Sequence, residues 1–393
     1  MTPSMPVLHR RPADLILFAC VLALVGIGLV MVYSASSVVA YDRLDDSAYF
    51  LKRQAAWIAL GLAAMWVARS TYYQRLRAMT VPLLVAAAVL LVLVLVPGIG
   101  RVAGGARRWI VAGPLSFQPV EVAKLALVLY LAHFVTRRGI AIRSLRWGVL
   151  PPLAITAGFG ALVLRQPDMG SALVLGAVAM VVLFLGGVRL LHLGGVAVAS
   201  LPILAVAVAA ADYRLQRVVS FLNPWRDPQG SGFHIIQSLL AFGSGGIFGV
   251  GLGASRQKFF YLPERHTDFI FAILGEELGL IGTLGLLLLF ALLAYRGLRI
   301  SRAAPDRYGA LLAAGITATI TGQALMNMGV AAGVLPVTGI PLPFVSFGGS
   351  SLVVTMMQIG VLMNISQYAH DDRRASSDAR PAAAPVARAW GSS

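Results

Sequence analysis

Charge is scarce in this chain. Only 12% of its 393 residues are Asp, Glu, Lys or Arg, about half the share of a soluble globular domain. That shortage argues against the two or three soluble domains that length alone would suggest. Cysteine is scarcer still. Cys20 stands alone, so an intrachain disulfide and a cysteine metal site are both excluded. Acidic residues number 16 against 32 Lys and Arg, leaving a formal net charge of +16. A nucleic-acid-binding protein would gather that surplus on one soluble face, whereas here it is scattered between apolar runs. The short alternating segments of a transmembrane barrel are also missing.

What fills the chain instead is hydrophobic sequence, 58% of all residues. A helix crosses a bilayer with about 20 mostly apolar residues. Runs of that kind predict an all-α integral membrane protein with about ten spans, near 13–35, 50–68, 79–97, 118–136, 147–164, 170–187, 192–211, 269–295, 310–333 and 345–366. The run from Leu15 to Met31 follows Arg10 and Arg11 and is too long and unbroken for a signal-peptide core, so it reads as a retained first span. With the N-terminus placed in the cytoplasm, the short inner loops carry twelve cations, from Arg69 to Arg307. The short outer loops carry seven, from Arg43 to Arg165. The positive-inside rule favours that orientation, with both termini cytoplasmic.

The expected organisation is therefore a cytoplasmic segment at 1–12, one polytopic membrane domain over 13–366 and a disordered tail rich in Ala, Pro, Ser and Arg at 367–393. A long outer loop at 212–268 separates the seventh and eighth spans, and loops of that length are usually functional. Within it, Ile235 to Phe242 is apolar but too short to span, so it reads as re-entrant or interfacial. The glycines between Gly243 and Gly253 lack the strand and helix context of a phosphate loop. They read as tight turns with close backbone contacts, and their few side chains predict low local stability.

Ionisable residues inside spans are costly and mark candidate sites. Glu121 and Lys124 lie three apart on one helix face. They either pair with each other or line a polar cavity with Lys124 facing an anion. Arg107 and Arg108 sit on the disfavoured outer side, serving lipid headgroups or an anionic ligand. Asp268 opens the eighth span, where the positive helix end favours its ionised form, as a cap or as a general base. Beside it, His266 suits hydrogen-bonding support better than metal ligation, since no second histidine stands at ligand spacing. Glu276 and Glu277 read as structural contacts. Asp168, at a span end on the outer face, either pairs with Arg165 or Arg108 or lines the site, and Arg256 and Lys258 add cations to the long loop.

Taken together, RRWI (107–110), QPVEVAKL (118–125), RQPDMGSALVL (165–175), the NPWRDPQGSG run with its glycines (223–253), LPERHTDFIFAILGEELGLIG (262–282) and PLPFVSFGGSS (341–351) resemble the shape, elongation, division and sporulation (SEDS) family. The likeness spans about 13–366, and FLKRQ near residue 50 and SRQKFFYLPE at 255–264 look most like its division branch. It implies a peptidoglycan glycosyltransferase polymerising lipid II into β-1,4-linked glycan at the septum, with a class B penicillin-binding protein and other divisome proteins as partners. It implies Asp268 as the catalytic residue and Arg108, Glu121 and Lys124 as functional residues. Phe347 stands where the family often has Tyr.

That reaction inverts an anomeric carbon and expels a diphosphate. One carboxylate base suffices, because the leaving group needs positive charge rather than a second acid. Arg108, Lys124, Arg256 and Lys258 are the candidate cations, and a divalent cation such as Mg or Mn would add to them. A lipid II flippase and a scaffold without catalysis are the competing readings.

Overall fold

The structure, a computed structural model, describes residues 11–103, 105–113, 115–257 and 267–369. Each predicted apolar run is helical. In chain order the helices are α1 (Leu15–Leu44), α2 (Tyr49–Ser70), the short α3 (Tyr73–Ala78) and α4 (Thr80–Leu93). After three strands come α5 (Pro119–Arg138), α6 (Leu150–Arg165), α7 (Met169–Leu185), α8 (Leu190–Ala209) and α9 (Asp212–Leu222). The chain then forms α10 (Phe233–Gly245), α11 (Ile270–Ala303), α12 (Arg307–Ala331) and α13 (Gly349–Gln367). Polar caps set several of the starts: the side chains of Asp14, Asp168 and Asp306 accept from backbone N–H groups in the first turns of α1, α7 and α12.

Among the described residues, the helices α1, α5, α6, α8, α11, α12 and α13 are long and apolar enough to cross a membrane. The apolar α4 and α7 are shorter. α2 carries Lys52, Arg53 and Arg69, and packs closely on α13. This is a multi-pass membrane protein. Its centre is formed by α5, α12 and α13, which bury residues on most of their faces. In contrast, α8 leaves most of its apolar side chains exposed, as a lipid-facing helix does.

The stretch between α4 and α5 departs from the all-helical expectation. It folds as a three-stranded antiparallel sheet of β1 (Gly100–Ala103), β2 (Ala106–Ala112) and β3 (Leu115–Phe117), in the order β1-β2-β3. Arg101 pairs with Trp109 and Ile110 with Phe117. The sequence signal is short: glycine at 104–105 and Gly-Pro at 113–114 bracket RRWIVA. It was hidden among long helical runs.

A second departure concerns α11. Its helix is interrupted at Gly279, whose φ of 66° and ψ of −160° are not helical. A break inside a membrane helix strands peptide groups that lipid cannot satisfy. Here the glycine stretch after α10 supplies the partners. The N–H of Val250 and of Gly251 donate to the carbonyls of Glu276 and Glu277, each at 3.0 Å. In return the N–H of Leu280 donates to Gly246 O at 2.9 Å and that of Ile281 to Ile247 O at 3.2 Å. The expectation of close backbone contact holds. The expectation of a loose, poorly pinned stretch is corrected: residues 246–251 are locked to α11 by main-chain bonds that need no side chains. The apolar segment 235–242 lies in α10, too short to span and packed on α11.

Gly279→Ala tests this junction. The new Cβ would lie 2.4 Å from Gly249 N at a positive φ. Strained backbone alone costs about 1–3 kcal/mol, and the clash adds to it. Thermal unfolding in detergent is expected to show a clear loss of stability, and an unchanged midpoint would mean that the break carries little.

Candidate functional site

Asp268 precedes α11, whose cap position is held by Phe269 without a side-chain hydrogen bond. The backbone around Asp268 is instead stitched to the loop between α12 and α13. From α12, the Asn327 side-chain amide donates to the carbonyl of Asp268 at 2.8 Å and to that of Ile340 at 2.7 Å. The Ser346 hydroxyl donates to the carbonyl of Thr267 and accepts from the N–H of Leu342 at 2.8 Å. These bonds bring Gly339 under the carboxylate. A methyl group placed on Gly339 would lie 3.6 Å from Asp268 Oδ2 and 3.8 Å from Arg108 Nη1. A carboxylate and a guanidinium thus converge on one point floored by a residue with no side chain, whose φ of +73° also suits glycine.

Arg108 reaches that point because it is on β2. Consecutive strand residues face opposite sides, and the two adjacent arginines divide accordingly. Arg107 Nη1 donates to Leu95 O at 3.0 Å. Arg108 Nε donates to Gln166 O at 3.0 Å, and its Nη2 donates to Pro167 O. The site arginine is therefore held from below by two carbonyls, with Nη1 toward Asp268.

The structure adds Arg217, which the sequence reading had left in an undifferentiated loop. It lies on α9, an amphipathic helix, and its Nη1 donates to Val337 O at 3.3 Å. Burial, and then the charge of Arg108, push its pKa down from the usual arginine value, while Asp268, Tyr213 and Asp168 pull it back up. An arginine keeps its proton in such a setting. The signal in sequence was Tyr213 and Arg217 at helical spacing, with the Arg217 guanidinium 5.8 Å from the Tyr213 ring centroid.

The pair Glu121 and Lys124 does not meet the expectation of a cation open to an anionic ligand. Both are buried in α5, and Lys124 Nζ lies 2.9 Å from each Glu121 carboxylate oxygen. It also donates to the Gln323 side-chain oxygen, and the Gln323 amide in turn donates to Pro341 O at 3.0 Å. In this conformation the pair is closed on itself and supports the 338–346 loop from beneath.

Asp168 pairs with neither Arg165 nor Arg108. It caps α7 by accepting from Ser171 N at 3.0 Å and Ser171 Oγ at 2.8 Å. Glu276 accepts from the N–H of Arg256 at 2.9 Å, from that of Gln257 at 3.3 Å and from Ser255 Oγ. Glu277 accepts from Ser34 Oγ of α1 at 2.6 and 2.7 Å. Their structural reading is met, and Glu276 gains a definite task in anchoring the chain that leaves toward residue 258. Arg256 is held by its backbone while its side chain is exposed. Lys258 and His266 lie outside the described residues. Among the described residues no group of three or more His, Cys, Asp or Glu could hold a metal ion.

The fold is thus a bundle of apolar helices with a carboxylate and two guanidinium groups, those of Asp268, Arg108 and Arg217, gathered near Gly339. Residues 14–371 match the family model described as cell cycle protein, that of FtsW, RodA and SpoVE, and the chain belongs to this family. It is 48% identical over 359 residues to stage V sporulation protein E of Bacillus subtilis, covering 91% of this chain and 98% of that protein. It is 46% identical over 353 residues to the "Probable peptidoglycan glycosyltransferase FtsW" of Geobacter metallireducens, covering 90% and 94%. Among solved structures it resembles a chain described under "Structural coordination of polymerization and crosslinking by a peptidoglycan synthase complex", at a TM-score of 0.76 and 38% identity over 92% of this chain and 99% of that one. It also resembles the rod shape determining protein RodA of Thermus thermophilus, at a TM-score of 0.69 and 33% identity over 92% and 98%.

Proposed function

We propose that this chain is a peptidoglycan glycosyltransferase that polymerises lipid II and elongates a lipid-linked glycan during septal wall synthesis. The observation that carries the reading is the convergence of Asp268 and Arg108 on Gly339, with Arg217 alongside. Asp268 takes the proton from the acceptor sugar 4-hydroxyl. The freed oxygen attacks the anomeric carbon, the bond from that carbon to the diphosphate oxygen breaks, and its electron pair leaves with the lipid diphosphate. One displacement inverts the centre and gives the β-1,4 link.

Charge developing on the leaving group meets Arg108 and Arg217, donors already in place before the reaction. Lys124 acts through Glu121 and Gln323 as a positioning residue rather than as a phosphate contact. Arg256, on the segment anchored by Glu276, and Lys258 are the further cations proposed for the diphosphate. A divalent cation such as Mg or Mn would add further positive charge at the diphosphate beside these side chains.

In this reading the protein sits in the bacterial cytoplasmic membrane with both termini inside, and a class B penicillin-binding protein and other divisome proteins work beside it. The interruption in α11 gives the flippase alternative no support, because loop backbone fills the break where a transporter would line a polar cavity. Purified protein given lipid II, alone and with its partner, separates the readings. Glycan strands are expected; lipid translocation without polymer would indicate a flippase, and neither would indicate a scaffold.

Sidedness has its own test. With Cys20 replaced by Ala, a cysteine at Gly230 is expected to react with an impermeant thiol reagent from outside the cell, and one at Ala304 only after permeabilisation. The opposite pattern would place the Asp268 site on the wrong face.

A further inference from the structure

Between Glu121 and Asp168 the chain holds no acidic residue. The turn from α5 into α6 nevertheless carries Arg137, Arg138, Arg143 and Arg146, all exposed. Among the described residues none of the four meets a carboxylate. The turn is tightly built. The Ser144 hydroxyl donates to Ala141 O at 3.0 Å and accepts from the N–H of Trp147 at 3.3 Å. Gly148 packs so closely that a Cβ there would fall 2.3 Å from Ile142 O. α5 starts just after β3 and is 20 residues long, so the turn lies about 30 Å from the strands that carry Arg108.

Helix ends account for only two of these charges. Arg137 and Arg138 occupy the last turn of α5, where the negative end of the helix favours cations. Arg143 and Arg146 flank Ser144, whose side chain caps the helical segment leading into α6. The positive end of a helix disfavours cations there, so an anion from outside the chain is what would settle them. Two of the guanidinium groups are already laid over rings, Arg138 at 5.1 Å from the Phe134 centroid and Arg146 at 5.1 Å from that of Trp147. The apolar side chains around them point to the kind of anion. Trp147 and Leu150 are 56% and 50% exposed, and their row continues along α6 through Ala154, Ala157 and Ala161, all exposed. That spacing is a single helix stripe, facing hydrocarbon, with an indole at its head where interfacial tryptophans gather.

We infer that this turn binds the headgroup of an anionic glycerophospholipid, phosphatidylglycerol being the simplest, with Arg143 and Arg146 on the phosphodiester and Trp147 and Leu150 against the acyl chain. Charge complementarity selects the anion. Continuity of the cations with a lipid-facing stripe selects a membrane lipid over an acidic soluble protein. The site lies at the opposite end of α5 from β3 and does not depend on the chemistry at Asp268.

The test uses the full chain in phosphatidylcholine nanodiscs containing a small share of lipid brominated on its acyl chains, either phosphatidylglycerol or phosphatidylcholine. The chain has 6 tryptophans, so quenching of Trp147 is read as the difference between wild type and Trp147→Phe. Brominated phosphatidylglycerol is expected to quench Trp147 at far lower mole fraction than brominated phosphatidylcholine, which carries the same phosphodiester without net charge. A cation near the membrane surface is worth about fivefold in affinity. Arg143→Gln with Arg146→Gln should therefore weaken the phosphatidylglycerol preference about 25-fold, and Arg143→Lys with Arg146→Lys should keep most of it. Equal quenching by the two lipids would reduce the arginines to orientation signals and overturn the site. Trp147 quenched by aqueous iodide and by neither lipid would put the turn in water, facing a soluble partner, and would overturn it too. Both comparisons are made on protein with native arginines, so they decide the question even where a substitution harms folding.

Discussion

Asp268→Asn should lower glycan polymer formation by a factor of about 10²–10⁴, the usual contribution of a positioned general base. Asparagine keeps the shape of the side chain and the main-chain carbonyl that Asn327 holds. It cannot accept the proton of the sugar hydroxyl. Detergent-stable yield, thermal midpoint and partner co-purification should remain those of the wild type, so the loss would lie in the chemical step. Near-normal polymer from this variant would remove Asp268 as the base. Asp168 could not take its place without giving up the start of α7.

Lys124→Met should destabilise the protein on the order of 3–5 kcal/mol, because it leaves the buried Glu121 carboxylate without its counter-charge. The measurement is thermal or denaturant unfolding in detergent. Its control is Glu121→Leu combined with Lys124→Met, which removes both charges together. Apolar replacement of a whole buried pair is often neutral, so the double variant should recover most of the stability. Activity then separates two roles. If it returns with stability, the pair is a support for the Pro341 loop, reached through Gln323. Stability without activity would restore Lys124 as a direct contact to the diphosphate.

Much of the molecule was legible because the bilayer enforces simple rules. A peptide group facing lipid has to be bonded within its own helix, and the long apolar runs translated directly into α1, α5, α8, α11 and their neighbours. The ionisable residues set against that background marked candidate positions at 108, 121, 124 and 268 before any geometry was known. Direction was harder to read. Glu121 and Lys124 stand three apart whether they bind each other or a ligand, and only the position of Gln323, 199 residues along the chain from Lys124, shows which bond is made here.

The sequence alone determined the membrane environment, the helical state of the apolar segments and the identity of the charged residues that lipid would reject, since each depends on local composition. Tertiary structure decided the rest, because it depends on contacts distant in sequence. Strand alternation in β2 sent Arg108 to Gln166 and Arg107 to Leu95. Packing of α9 brought Arg217 to the site. The glycine stretch after α10 closed a break in α11 that its own sequence could not satisfy. The carboxylate of Asp268 came to face a guanidinium across Gly339 because Asn327 and Ser346 fix two chain segments together there, and bonds between such remote segments leave no periodic trace in sequence.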